Sequence, residues 1–182
     1  GMRDGNWLRT EAVQLTGKTL GLIGFGGIAA EMARLALGAG MQVIAWNRTP
    51  KSYPGVRFVS LEDLLAQSQV ISLHLLLNDE TKGFISRERI AQMKDGVILV
   101  NTARGAVIDE KALIEALSSG KIAHAGLDVF EIEPLPKDHP FTKIENVTLS
   151  AHSAFRTPEA SDNLIEASLN HCRRISGQGT QR

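Results

Sequence analysis

Seven short runs rich in Val, Ile and Leu recur along the chain, at residues 19–26, 41–47, 56–60, 69–77, 96–103, 122–130 and 146–151. Each is of strand length, and several are apolar at nearly every position rather than at alternate ones. An alternating strand can face water on one side, whereas one that is apolar throughout has to be covered on both faces, as in a parallel sheet. Amphipathic stretches separate the runs: 27–38, with Ile28, Met32 and Leu35 on one face; 61–67; 86–93; and 109–118, where Asp109 can cap a stripe of Leu113, Ile114 and Leu117. This alternation predicts an α/β fold: a doubly wound, mostly parallel seven-stranded sheet with right-handed crossovers and helices on both faces.

Residues 131–145 hold three of the six prolines, so they read as a loop between the last two strands. Residues 157–176 read as a helix with Pro158 at its first position, followed by a polar tail at 177–182. With 182 residues, one domain is expected over 1–182: a linker or arm at 1–18, a core at 19–151, the terminal helix and the tail. Twenty basic residues balance twenty acidic ones, which excludes a strongly basic surface made for nucleic acid or membrane. No apolar run approaches the ~20 residues of a membrane helix. The lone Cys172 has no internal partner for a disulfide, and no signal peptide is visible, so a cytoplasmic protein is expected.

At the junction of the first run and first helix stands "GLIGFGGIAA", containing Gly24-x-Gly26-x-x-Ala29. Gly24 allows a tight turn, Gly26 lets backbone approach a pyrophosphate, and a small third residue lets helix and strand pack closely. The helix N-terminus beyond it offers free N–H groups to an anion. In this context, strand before and helix after, the triplet predicts a Rossmann-type dinucleotide site. The second strand ends in "VIAWNRTP", with Asn47 where an acid would accept from the ribose 2′-hydroxyl of NAD. Arg48 can offer a forked cation to a 2′-phosphate and Thr49 a hydroxyl, so NADP is favoured and NAD second. The alternative is that Arg48 stacks on adenine or stays solvated while NAD binds.

Reduction of a carbonyl beside a nicotinamide needs a proton carrier and a cation for the substrate carboxylate. Arg104, Asp128, Glu133 and His152 all lie at or beyond the carboxyl ends of late strands, which this fold gathers on one edge. No metal site is expected.

In order along the chain, "GKTLGLIGFGGIA", "VISLHLLLNDETKGFIS", "VNTARGAVIDEKALIEAL", "AGLDVFEIEPLP" and "LSAHSAFRT" resemble the cofactor-binding domain of the D-isomer-specific 2-hydroxyacid dehydrogenases, from about residue 5 to about residue 175. The resemblance implies that Arg104 binds the carboxylate and carbonyl of a 2-oxo acid, that His152 is the general acid in its reduction, and that Glu133 orients and charges His152. It further implies that Asp128 holds the nicotinamide carboxamide or ribose, that backbone at Gly27 and Ile28 holds the pyrophosphate, and that Thr102 and Ala103 line the nicotinamide side. A small 2-oxo or 2-hydroxy acid substrate and a homodimer are expected on the same ground, with an N-terminal arm containing Trp7 and Leu8 available to a partner. The chain departs from the family at Ala29, Asn47, Leu76 and Ala151, and the upstream part of the family's substrate domain is expected to be absent. An isolated cofactor domain with weak turnover is therefore expected. Two other readings stay open: a non-catalytic dinucleotide-sensing or dimerising module, and a domain like that of the 3-hydroxyacid dehydrogenases, which "VIAWNRTP" also resembles.

Overall fold

The computed structural model describes residues 4–5 and 13–177. Trp7 and Leu8 lie outside them, as does the tail beyond 177. In chain order the elements are β1 (Thr19–Ile23), α1 (Gly27–Gly38), β2 (Gln42–Trp46), β3 (Val56–Phe58), α2 (Leu61–Gln67), β4 (Val70–Leu73), α3 (Arg87–Gln92), β5 (Val97–Asn101), α4 (Glu110–Ser118), β6 (Ile122–Leu127), β7 (Val147–Leu149) and α5 (Pro158–Ile175). The strands form one sheet in the order β3-β2-β1-β4-β5-β6-β7, and every pairing is parallel. The expected α/β fold is therefore present, and all seven strands end on the same edge. The order reverses between β1 and β4, which opens a crevice beyond their carboxyl ends.

Local chemistry fixes the helix starts. Ser60, Ser86, Asp109 and Thr157 each accept from a backbone N–H in the first turn of α2, α3, α4 and α5 respectively. The helix α1 differs, for Gly26 stands at its N-cap without any side-chain cap. Its leading N–H groups are left for something else.

The core has two parts. One face of the sheet, from β2 to β6, packs under α2, α3 and α4 through residues such as Ile44, Leu64, Ile71, Leu99 and Leu113. The other face packs Leu20, Leu22, Val43 and Ala45 against α1, with Phe25 set edge-on to Phe58. Helical cover is thus uneven, since α5 has no buried residue and Ile98 and Val100 of β5 are only half-buried.

The expected face of α1 is reversed. Ala29, Ala33 and Ala36 are buried, whereas Ile28, Met32 and Leu35 are exposed. Both triplets share the i, i+4, i+7 spacing of a helical stripe, so periodicity does not choose between them. Close approach to the sheet does, because only the small stripe lets α1 follow directly from the glycine turn.

Between β5 and α4 the chain makes a 3-10 turn at Gly105–Val107, against the backbone that leaves β6. A Cβ on Gly105 would lie 2.0 Å from the Phe130 carbonyl carbon and 2.4 Å from the Glu131 nitrogen. These are backbone atoms of the segment leading to Glu133, and they cannot swing aside. Gly105→Ala is expected to lower unfolding free energy by about 2–3 kcal/mol in urea titration. Gly27→Ala, where a Cβ meets nothing within 4 Å, serves as the control, and equal stabilities would contradict the contact.

Candidate functional site: a dinucleotide crevice beside a histidine–carboxylate pair

Gly24 begins the crevice. Its φ is 86°, and a Cβ there would sit 2.7 Å from the His74 carbonyl oxygen, so both conformation and space require glycine. Gly26 and Gly27 are open, with nothing within 4 Å of the Cβ position of either. The uncapped N-terminus of α1 therefore faces free space with its N–H groups and the positive end of its dipole. That cradle fits a pyrophosphate.

Two connected hollows continue from it. One, of about 270 Å³, is lined by Gly26, Gly27, Ile28, Thr102, Ala103 and Arg104. The other, of about 370 Å³, runs past Gly24, Asn47, Arg48, Thr49, Lys51 and Glu80. His74 lines both, and burial pushes its pKa down to about 4, so its imidazole, with Nε2 3.0 Å from Ser72 Oγ, is neutral at neutral pH. Apart from Asp128, the candidate cofactor residues named from the sequence thus line these two adjoining hollows, which share Gly26, His74, Leu75 and Leu76.

The end of β2 has more internal bonding than its sequence shows. Asn47 accepts from the Phe25 N–H at 3.0 Å and donates to the Thr49 carbonyl at 2.8 Å, fastening the glycine turn to β2. Lys51 Nζ donates to the Phe25 carbonyl at 2.6 Å. Arg48 pairs with Glu80 at 2.5 Å, and both side chains are largely exposed. Sequence reasoning missed Lys51 and Glu80.

Farther along the same edge, the three expected catalytic residues come from adjacent strand ends. Arg104 follows β5 in a turn held by Asn101, whose buried amide accepts from the Ala103 N–H at 3.0 Å and donates to the Arg104 carbonyl at 2.9 Å. Glu133 lies in the loop after β6, and its Oε2 is 2.7 Å from His152 Nδ1. Its other oxygen accepts from the Phe130 N–H at 2.9 Å. The hydrogen bond from His152 is the main reason that the Glu133 carboxyl is held below the usual carboxylate range, with the Phe130 N–H and the nearby Arg104 charge adding to it. A carboxylate fixed to Nδ1 leaves Nε2 as the nitrogen available to a substrate. Beside the pair lies a hollow of about 640 Å³, lined by Phe130, Pro134, Leu135 and Leu149 among others.

His152 itself has φ 48°, a left-handed conformation uncommon outside glycine. Asp128 imposes it. The His152 N–H donates to the Asp128 carbonyl at 2.8 Å, while the Asp128 carboxylate accepts from Ser150 Oγ at 2.5 Å, the Ser153 N–H at 2.9 Å and the Ala154 N–H at 2.9 Å. Only 4% of Asp128 is exposed. Where the sequence suggested a ligand of the nicotinamide, the structure has this carboxylate engaged within the turn that presents His152. Burial pushes its pKa up, but the hydrogen bonds from Ser150, Ser153 and Ala154 and the neighbouring His152 outweigh burial, and the net shift is downward.

Among the described residues no group of three or more His, Cys, Asp and Glu is placed to hold a metal ion, and no helix is long and apolar enough to cross a membrane.

Because the folded pKa of Asp128 is depressed, its charge stabilises the fold above the unfolded value near ~3.9, and this contribution is lost as pH falls through the folded value. Asp128→Asn is expected to cost about 1–3 kcal/mol at pH 7, as a buried acceptor of three bonds is exchanged for an amide. Chemical denaturation of both proteins from pH 7 down to below pH 4 should show the difference shrinking at the acid end. A constant difference would mean that the charge is irrelevant.

Comparison with known proteins agrees with this geometry. Residues 1–154 match the family described as D-isomer specific 2-hydroxyacid dehydrogenase, NAD binding domain. A hydroxypyruvate reductase from Thermotoga maritima is 47% identical over 169 residues, covering 91% of this chain and 54% of that protein. The solved structure of a glyoxylate reductase from Paecilomyes thermophila is 44% identical with a TM-score of 0.84, covering 94% of this chain and 54% of the other. A D-isomer specific 2-hydroxyacid dehydrogenase from Xanthobacter autotrophicus Py2, solved in complex with NADPH and MES, is 36% identical with a TM-score of 0.82, covering 97% of this chain and 74% of the other. The chain spans about half the length of the curated relatives it matches. With an open glycine cradle and a histidine–carboxylate pair on one sheet edge, and with these likenesses over nearly its whole length, the chain belongs to the D-isomer specific 2-hydroxyacid dehydrogenases and comprises their NAD-binding domain.

Proposed function

We propose that this chain is the cofactor-binding and proton-transferring part of a reductase that converts 2-oxo acids of the glyoxylate or hydroxypyruvate type into D-2-hydroxy acids. The observation that carries this reading is the His152–Glu133 pair at 2.7 Å, on the same sheet edge as Arg104 and the uncapped start of α1. The names of the relatives, hydroxypyruvate and glyoxylate reductase, support the substrate class. A dinucleotide-sensing module would have no use for such a pair.

When bound, the nicotinamide cofactor supplies the hydride to the carbonyl carbon. The chain's own residues do the rest. The Arg104 guanidinium pairs with the substrate carboxylate and polarises the carbonyl. Glu133 holds Nδ1 of His152 and orients the ring, and Nε2 of the protonated ring then gives its proton to the carbonyl oxygen as the C–H bond forms. His152 is left neutral and is reprotonated from solvent. In the reverse direction it accepts the alcohol proton.

The same reading favours NADP over NAD, since Arg48 and Thr49 line the far end of the crevice and the end of β2 carries no acid. The NADPH complex of the Xanthobacter relative supports it, while the description of the family names NAD. A homodimer and a cytoplasmic location belong to this reading as well. The exposed α1 stripe supports the first and the unpaired Cys172 the second. Sedimentation at about twice 19.7 kDa is the expected result for the dimer, and a single monomer would oppose it.

Parallel fluorescence titrations are expected to give several-fold tighter binding of NADPH than of NADH, tenfold corresponding to about 1.4 kcal/mol. Equal affinities would oppose the preference for NADP. In a chimera that supplies the remainder of the Thermotoga maritima relative, His152→Ala is expected to slow NADPH-dependent hydroxypyruvate reduction by roughly 10²–10⁴-fold. Undiminished reduction would sink the assigned mechanism.

A further inference from the structure

The acid missing from the end of β2 is matched by one arriving from elsewhere. Glu80, in the loop between β4 and α3, lines the same hollow as Asn47, Arg48, Thr49 and Lys51, and its Oε2 stands 2.5 Å from Arg48 Nη1. Its backbone is held firmly. The Asn78 carboxamide oxygen accepts from the N–H groups of both Glu80 and Thr81 at 3.0 Å, and Thr81 Oγ1 donates to the Leu76 carbonyl at 2.6 Å. This turn presents the Glu80 side chain toward the adenosine end of the crevice.

We propose that Glu80 is a specificity-determining residue for the cofactor, restraining the preference for a 2′-phosphate that Arg48 and Thr49 would otherwise confer. This inference rests on the assignment of Arg48 to the cofactor's ribose end. Two effects act in the same direction. The carboxylate engages Nη1, one of the guanidinium donors that a 2′-phosphate would use, so NADP has to displace it. Once displaced, it remains tethered beside a phosphate of like charge, and the repulsion subtracts from affinity. With NAD neither penalty arises, and a carboxylate at this end can accept from the 2′-hydroxyl as the acid of the usual fingerprint does.

The magnitudes are modest. Arg48 and Glu80 are 77% and 69% exposed, and ion pairs that open to solvent are weak. The pair therefore opens easily, and the effect is a bias rather than a block. Specificity here is a difference between two affinities, one lowered by a repulsive element and the other not.

The test is to measure Kd for NADPH and for NADH with the wild-type chain, Glu80→Gln, Arg48→Ala and the double variant, at fixed low salt. Both positions are exposed, so all four proteins are expected to fold, which circular dichroism checks. Glu80→Gln should raise the ratio of NADPH to NADH affinity about fivefold, close to 1 kcal/mol, and the double variant should show a smaller gain over Arg48→Ala, since only the repulsion is then relieved. Raised salt should shrink it. An unchanged or lowered ratio in Glu80→Gln overturns the inference, as does a gain over Arg48→Ala in the double variant as large as that of Glu80→Gln over the wild-type chain. If Arg48→Ala lowers the ratio while Glu80→Gln does not raise it, the inference fails and the cofactor reading stands. If Arg48→Ala leaves the ratio unmoved, the cofactor reading fails and takes the inference with it.

Discussion

Asn101 and Asp128 are buried polar side chains at the ends of neighbouring strands, and each spends its hydrogen bonds on the turn that follows or adjoins it. Burying an amide or a carboxylate is costly unless its bonds are satisfied. Here satisfaction shapes the turns of the proposed site. The amide closes the turn that presents Arg104, and the carboxylate closes the turn that holds His152 in its left-handed conformation. The two are linked through the Asp128 N–H, which donates to the Asn101 carbonyl at 3.0 Å. Arg104 and His152 thus project from one bonded framework rather than from two independent loops. Their separation is set by the sheet, and a site built on strand ends holds reacting groups more precisely than one built on free loops.

The other half of the site depends on leaving bonds unmade. Among the described residues, every α-helix except α1 has a side-chain cap. An uncapped start costs stability, and α1 compensates through its small buried stripe, which seats it close against β1 and β2. Close seating also aims its N-terminus into the crevice at the β1–β4 reversal. The departure Ala29 fits this account, because it is fully buried in that stripe, where a methyl group is accommodated and contributes to the core.

Much of this was legible in the sequence. The run of apolar strands dictated a sheet covered on both faces, and the glycine triplet between strand and helix dictated the cradle. Arg104, Glu133 and His152 were readable because each follows a strand, and a parallel sheet brings all such positions to one edge. What the sequence hid has physical reasons. The two stripes of α1 share one periodicity, so the larger side chains misled. Glu80 meets Arg48 across 32 residues, a pairing that no local pattern encodes. The partners of Asp128 are a serine hydroxyl and backbone N–H groups, which leave no signature beyond an acid at a strand end. Asn101 reads in sequence as an ordinary polar residue closing an apolar run, and only its burial shows that it is a brace.

The central claim is that one sheet edge holds both the dinucleotide and the proton-transferring pair in a single continuous site. A crystal structure of this chain with NADP⁺ tests it most directly. The account predicts the pyrophosphate at the N–H groups of Gly27 and Ile28, the 2′-phosphate beside Arg48, and the nicotinamide ring between Arg104 and His152. A nucleotide bound away from the start of α1, or a nicotinamide turned away from His152, would contradict it.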